Sequence, residues 1–200
     1  MAVDRTPPQA VPVNPPTEPQ SAKPSQPASV VILELVETAL LTLFIFLIVN
    51  TVTGRFRIEG FSMLPTLEEG EYVIINKLSY YLDEPERGDI IVLHFPNDRN
   101  RDFIKRVIGL PGDHIDIHDG QVRINGVLLN EPYINSPPNY SGTWDVPGGQ
   151  YFVLGDNRNN SSDSHNWQFL PQEDIVGKAW LIYWGPDDWG LVPHYDHMLS

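Results

Sequence analysis

Apolar and polar positions divide the chain into three regimes. Residues 1–29 show no apolar periodicity; they are mostly Pro, Gln, Ser and Ala, with charges at Asp4, Arg5, Glu18 and Lys23. A segment of that composition buries too little apolar surface to offset its chain entropy, so a disordered Pro-rich tail is expected. Residues 30–52 are apolar except at Glu34, Glu37, Thr38, Thr42, Asn50 and Thr51. As a helix they would extend about 34 Å, enough to cross a bilayer. A single transmembrane helix is therefore expected. A soluble core helix is the competing reading, because the uninterrupted stretch 39–49 is short. A cleaved export signal fits less well: the stretch starts late, its flank is acidic, and no small-x-small exit site precedes Gly54. From residue 54 onward the pattern becomes short β-type runs at 56–58, 71–76, 89–95, 103–108, 114–118, 121–124 and 151–154. Asp119-Gly120 and Asn125-Gly126, each between alternating apolar positions, predict two-residue hairpin turns and a β-meander over 115–129. Residues 130–150, rich in Pro, Gly, Ser and Asn, read as a long loop. The expected fold is mostly β: one N-terminal membrane helix, then an antiparallel β-sheet domain over 53–200 with an inserted meander-and-loop segment at about 114–150.

Composition narrows the function classes. The 200 residues include no Cys, which excludes a disulfide scaffold, a thiolate zinc site, an iron–sulfur centre and a cysteine nucleophile. Thirteen Lys and Arg against 26 Asp and Glu give a net charge of −13. The diffuse basic footprint that nucleic-acid phosphates require is missing, so no nucleic-acid partner is expected. Charge leaves the membrane orientation open, since Arg5 and Lys23 precede the apolar stretch while Arg55 and Arg57 follow it.

Candidate chemistry lies at three places. Ser62, in Gly60-Phe61-Ser62-Met63-Leu64-Pro65-Thr66, stands ten residues past the predicted helix. Gly60 and Pro65 favour a turn, while Phe61, Met63 and Leu64 would give the loop a greasy surface able to rest against lipid headgroups. Ser62 becomes a nucleophile only if a base is near; otherwise it is a turn residue. Strand alternation places Lys105 with Phe103 and Val107 on an apolar face. Desolvation there would lower the lysine pKa and let a neutral amine take a hydroxyl proton, unless the stem packs and the ammonium reaches water. The third place, 155–167, is a dense run of hydrogen-bonding side chains directly after an apolar strand, able to orient a lysine or equally to form a polar surface loop. His165 beside Asp163 leaves a Ser-His-Asp arrangement open. His194, Asp196 and His197 are the candidate metal ligands, but a short polar tail is the plainer reading, and neither metal nor cofactor is expected.

In this order the segments Ser62-Met63-Leu64-Pro65-Thr66-Leu67, Lys105-Arg106-Val107-Ile108-Gly109-Leu110-Pro111-Gly112-Asp113, and Gly155-Asp156-Asn157-Arg158 through Asp163-Ser164 resemble the motif boxes of bacterial signal peptidase I, over residues 30–180. That family consists of membrane-anchored serine peptidases with a Ser/Lys dyad. The resemblance implies Ser62 as nucleophile, Lys105 as general base, Ser161 as the hydroxyl orienting the lysine, and Asp156, Arg158 and Asp163 as supports of the final loop. Gly60, Phe61 and Met63 would contact substrate. It implies that the partners are precursors bearing signal peptides, cut after small-x-small (Ala-x-Ala) junctions, and the lipid bilayer. It also implies a cytoplasmic N-terminus and an extracytoplasmic catalytic domain in the cell membrane or, alternatively, the thylakoid membrane. Two positions depart from the family pattern. Gly60 stands where some relatives carry an oxyanion-donating serine, so the hole must rest on backbone N–H groups, and His165 stands where arginine is usual. The rival from another class is a membrane-anchored β-domain that binds or assembles, with Ser62 and Lys105 structural.

Overall fold

Helix α1, Ala28–Val52, exceeds the predicted span by one short step at its start, where the Pro27 carbonyl accepts from the Val30 and Val31 N–H groups. The computed structural model describes residues 27–184, 189–195 and 199, so most of the expected Pro-rich tail, residues 1–26, lies outside them. At 25 residues α1 is about 37 Å long, sufficient by length and composition to cross a bilayer. Its threonine hydroxyls are satisfied inside the helix: Thr38, Thr42 and Thr51 donate to the carbonyls of Glu34, Thr38 and Leu47 at 2.7–2.8 Å. A polar group in hydrocarbon needs such a local partner.

Strand β1 (Thr53–Arg57) follows directly. Then come β2 (Tyr72–Asn76), the single turn α2 (Ser79–Leu82), β3 (Ile90–Phe95) and β4 (Asp98–Gly109). The meander is β5 (His114–His118), β6 (Gln121–Ile124) and β7 (Val127–Leu128), followed by β8 (Gly142–Asp145). The chain returns through β9 (Gln150–Leu154), α3 (Ser164–Trp167), β10 (Leu170–Pro171), β11 (Ile175–Trp184) and β12 (Gly190–Leu191). The larger sheet runs β1-β2-β11-β3-β4-β9-β10, with β12 on β11; the smaller runs β7-β6-β5-β8. All pairings in both are antiparallel. The chain is mostly β after its apolar helix, as the alternation predicts.

The hairpin turns form as expected, with Asp119, Gly120, Asn125 and Gly126 all at positive φ. Four strands, β8, β10, β11 and β12, lie outside the predicted runs and meander; β10 and β12 have only two residues each. β8 falls within the segment that reads as loop; it is a short edge strand whose exposure alternates, and Trp144 is its one large apolar side chain. β11 is long and central, yet its pairing register shifts at Ile175/Gly177, Ala179/Leu181 and Ile182/Trp184. Each bulge resets the period-two pattern, which hides the strand from an alternation test. Gly177 is needed there, because a Cβ would stand 2.5 Å from the Asn76 carbonyl oxygen.

Strand β4 positions the chemistry. It lies between β3 and β9, with Lys105 opposite Ile91 and Arg106 opposite both Ile90 and Leu154. Lys105 and Arg106 are both buried, on opposite faces of one strand. The smaller sheet packs Ile115, Ile117, Val122 and Ile124 against Ile108, Phe152 and Leu154 of the larger one.

Candidate active site

The Ser62 loop joins β1 to β2 and is tied to the loop after β9. Asn157 N–H donates to the Ser62 carbonyl at 3.0 Å, and Asn157 Nδ2 donates to the Phe61 carbonyl at 3.0 Å. Thr66 Oγ1 donates to Asp156 Oδ2 at 2.5 Å. From beneath, Met63 and Leu67 are buried in the core with Ile58 and Val73. Met63 therefore departs from the expected loop surface and substrate contact: at 1% exposure it anchors the loop from inside, whereas Phe61, 50% exposed, points outward. Gly60 sits at φ +88°, a backbone conformation that side-chain-bearing residues rarely adopt.

Lys105 Nζ donates to Ser62 Oγ at 2.8 Å and to the Ile104 carbonyl at 2.7 Å, with the Phe103 ring centroid 5.2 Å away. Burial lowers its pKa from 10.5 to about 8, with the Asp163 and Asp156 carboxylates opposing the shift. The two contacts also orient the amine. A carbonyl oxygen only accepts, so in neutral Lys105 an N–H must face Ile104 and the lone pair is free to face the Ser62 hydroxyl. Residues bordering the dyad form an open cleft of about 370 Å³, lined by Phe56, Ile58, Val92, Phe103, Ile104 and Ser162 among others.

The third predicted segment arranges itself differently from expectation in part. Ser161 is adjacent to Gly155, but its buried hydroxyl makes no hydrogen bond among the described residues, and the second bond of Lys105 goes to the Ile104 carbonyl instead. Asp163 caps α3: Oδ2 accepts from Gly155 N–H at 2.9 Å, and Oδ1 accepts from His165 N–H and pairs with His165 Nδ1 at 2.6 Å. His165 stacks on Tyr140 at 3.9 Å and forms no bond with Ser62, whose hydroxyl is held by Lys105. Arg158 donates to the Gly155 carbonyl at 3.1 Å and pairs not with an acidic group of its own loop but with Glu131, beside Tyr133. His194 is taken up by backbone groups, Asp196 and His197 lie outside the described residues, and no group of three metal-ligating side chains occurs among those described.

Sequence reading missed the group that ties these parts together. Arg106, fully buried, grips Asp156 through Nε at 2.9 Å and Nη2 at 2.7 Å, and Nη1 donates to the Gly88 and Pro193 carbonyls. A bidentate pair in a desolvated site is both strong and directional. Its signal was available: a charged residue in a strand apolar on both faces requires a partner.

The family of signal peptidases, peptidase S26, matches residues 32–184. The chain belongs to this family. It is a peptidase, 43% identical over 183 residues to signal peptidase I of Leptolyngbya laminosa, with 86% of this chain and 89% of that one covered. Probable signal peptidase I-2 of Synechocystis is 42% identical over 180 residues, covering 86% and 82%. Thylakoidal processing peptidase 1 of Arabidopsis thaliana is 37% identical over 154 residues, covering 72% of this S26 peptidase and 45% of its own length.

Proposed function

We propose that this S26 peptidase removes N-terminal signal peptides from exported precursors, cutting after Ala-x-Ala-type junctions, with Ser62 as nucleophile and Lys105 as general base. The observation that carries the reading is the 2.8 Å contact between Ser62 Oγ and a buried Lys105 Nζ whose pKa falls to about 8. An ordinary lysine is almost wholly protonated at neutral pH, whereas one at about 8 is neutral in roughly a tenth of molecules at pH 7.

In this reading neutral Lys105 accepts the Ser62 proton as Oγ attacks the scissile carbonyl carbon. The tetrahedral oxyanion is stabilised by backbone N–H groups, including that of Ser62, since Gly60 has no side chain to donate. Collapse breaks the C–N bond, the ammonium returns its proton to the leaving amine, and a water activated by Lys105 hydrolyses the acyl-enzyme. Asp156, Arg158 and Asp163 hold the loop facing Ser62, and Phe61 borders the substrate. In this scheme Ser161 completes the lysine's hydrogen bonding, from a buried hydroxyl that makes no hydrogen bond among the described residues.

Residues 53–200 are the catalytic domain and 114–150 an insertion in it. Helix α1 is the anchor, with the N-terminus cytoplasmic and the domain outside the cell membrane or, as the chloroplast relative suggests, in the thylakoid lumen. Anchoring nucleophile and substrate to one bilayer raises their effective concentration. The test is cleavage of a precursor with an Ala-x-Ala junction by the full chain in detergent and lipid. Wild type is expected to cut at the junction while Ser62→Ala and Lys105→Met, both folded, do not. Folded but inactive wild type, inert also to acylating inhibitors, would favour a binding module.

A further inference from the structure

The C-terminal segment after β12 crosses the back of the site. Val192 N–H donates to the Trp180 carbonyl at 3.0 Å and its side chain enters the core beside Met63 and Leu67. The next residue's carbonyl, Pro193 O, accepts from Arg106 Nη1 at 3.2 Å. His194 bridges two strands: Ile90 N–H can only donate, so Nδ1 accepts it at 3.2 Å and Nε2 donates to the Ala179 carbonyl at 2.8 Å. Tyr195 then covers one side of the Arg106 guanidinium at 5.2 Å, with Tyr133 against it at 4.1 Å and the two rings 5.2 Å apart. Farther on, Leu199 forms a bridge with Leu129, at the base of the smaller sheet.

We propose that residues 190–195 are a positioning strap for the dyad, with His194 and Tyr195 as its positioning residues. The inference rests on the Ser62/Lys105 reading of function. The strap encloses Arg106, and Arg106 holds Asp156 at both carboxylate oxygens. Asp156 takes the Thr66 hydroxyl, and its neighbour Asn157 takes the Ser62 and Phe61 carbonyls. Because Arg106 follows Lys105 on the same strand, one rigid guanidinium sets the nucleophile loop against the base from both sides. Opening the Tyr195 side admits water to the pair, weakens it, and loosens the loop. A shift well under 1 Å at Ser62 is enough to cost rate, because attack geometry is narrow.

The experiment uses the full chain in detergent and lipid with an Ala-x-Ala precursor. It compares wild type, Tyr195→Leu, Tyr195→Phe, His194→Ala, Thr66→Val and the Thr66→Val/Tyr195→Leu double variant, each checked for folding by circular dichroism. Tyr195→Leu and His194→Ala are expected to lower kcat about tenfold with KM within about twofold of wild type, the pattern of a lost transition-state alignment. Tyr195→Phe, which keeps the ring, is expected to recover most of the loss. The double variant is expected to lose little more than the worse single variant, because both act through Asp156. If wild type cleaves and Tyr195→Leu cleaves equally, or if the two losses simply multiply, the strap is overturned while the function stands. If both strap variants fail to fold, the segment belongs to the fold itself and the proposal is overturned. If wild type cleaves nothing, the functional reading falls and the strap with it.

Discussion

Lys105 makes the folded protein less stable at neutral pH than a neutral side chain there would, and the cost has a definite pH dependence. Burial lowers its pKa from 10.5 to about 8, with Asp163 and Asp156 opposing the shift. In the unfolded chain the same amine titrates near its ordinary value, about 10.4. Below about pH 8 both states carry the proton and the cost is constant. Between about 8 and 10.5 the unfolded chain binds a proton that the folded chain has released, so stability rises with pH; above that range both are neutral and the cost is gone. At about 1.4 kcal/mol per pH unit the whole span is worth about 3 kcal/mol. Lys105→Met removes the titration and leaves the other ionisable groups in place. The unfolding free energy of wild type minus that of Lys105→Met should therefore move in favour of wild type by about 3 kcal/mol between pH 7 and 10.5. Denaturant unfolding of both full chains in detergent, followed by tryptophan fluorescence at several pH values, measures it. The double difference also cancels the hydrogen bonds Lys105→Met removes, to the extent that these do not change with pH. A difference that stays level within about 1 kcal/mol would refute a buried, depressed lysine.

The same titration governs rate: kcat/KM should rise about tenfold per pH unit up to about pH 8 and then level off, and a flat profile from pH 6 to 9 would exclude Lys105 as the base. Gly155→Ala would place a Cβ 2.5 Å from the Ser62 carbonyl oxygen and should lower kcat about a hundredfold or more, read from initial rates on a precursor; an active variant would mean the loop is free to move. His165→Ala should leave activity within about tenfold of wild type, since His165 touches Asp163 and Tyr140 but not Ser62; a loss as deep as that of Ser62→Ala would point to a histidine base. Glu131→Gln would strip the fully buried Arg158 of its ion partner and should destabilise the domain by about 3–5 kcal/mol in denaturant unfolding.

Much of the architecture was legible from local pattern. The apolar length of α1, the two Gly-containing hairpin turns and the apolar face of Lys105 are properties of neighbours in sequence, where periodicity is informative. The reading failed where the period was interrupted. Bulges in β11 shifted the alternation, and the short β8 offered one large apolar side chain in a segment rich in turn formers. At the site, residue types announced a serine, a lysine and a polar loop, but partner choice waited on topology. Met63 faces inward because the loop packs on Ile58 and Val73, and Arg158 reaches Glu131 because the smaller sheet brings that residue under it. Ser62 and Lys105 are 43 residues apart, and Arg106 and Asp156 are 50 apart. Local pattern decides which face of a strand a side chain occupies. Which charge, hydroxyl or carbonyl meets it there depends on how the strands are ordered and registered, because a contact falls off within a few ångströms while chain separation leaves distance almost unconstrained.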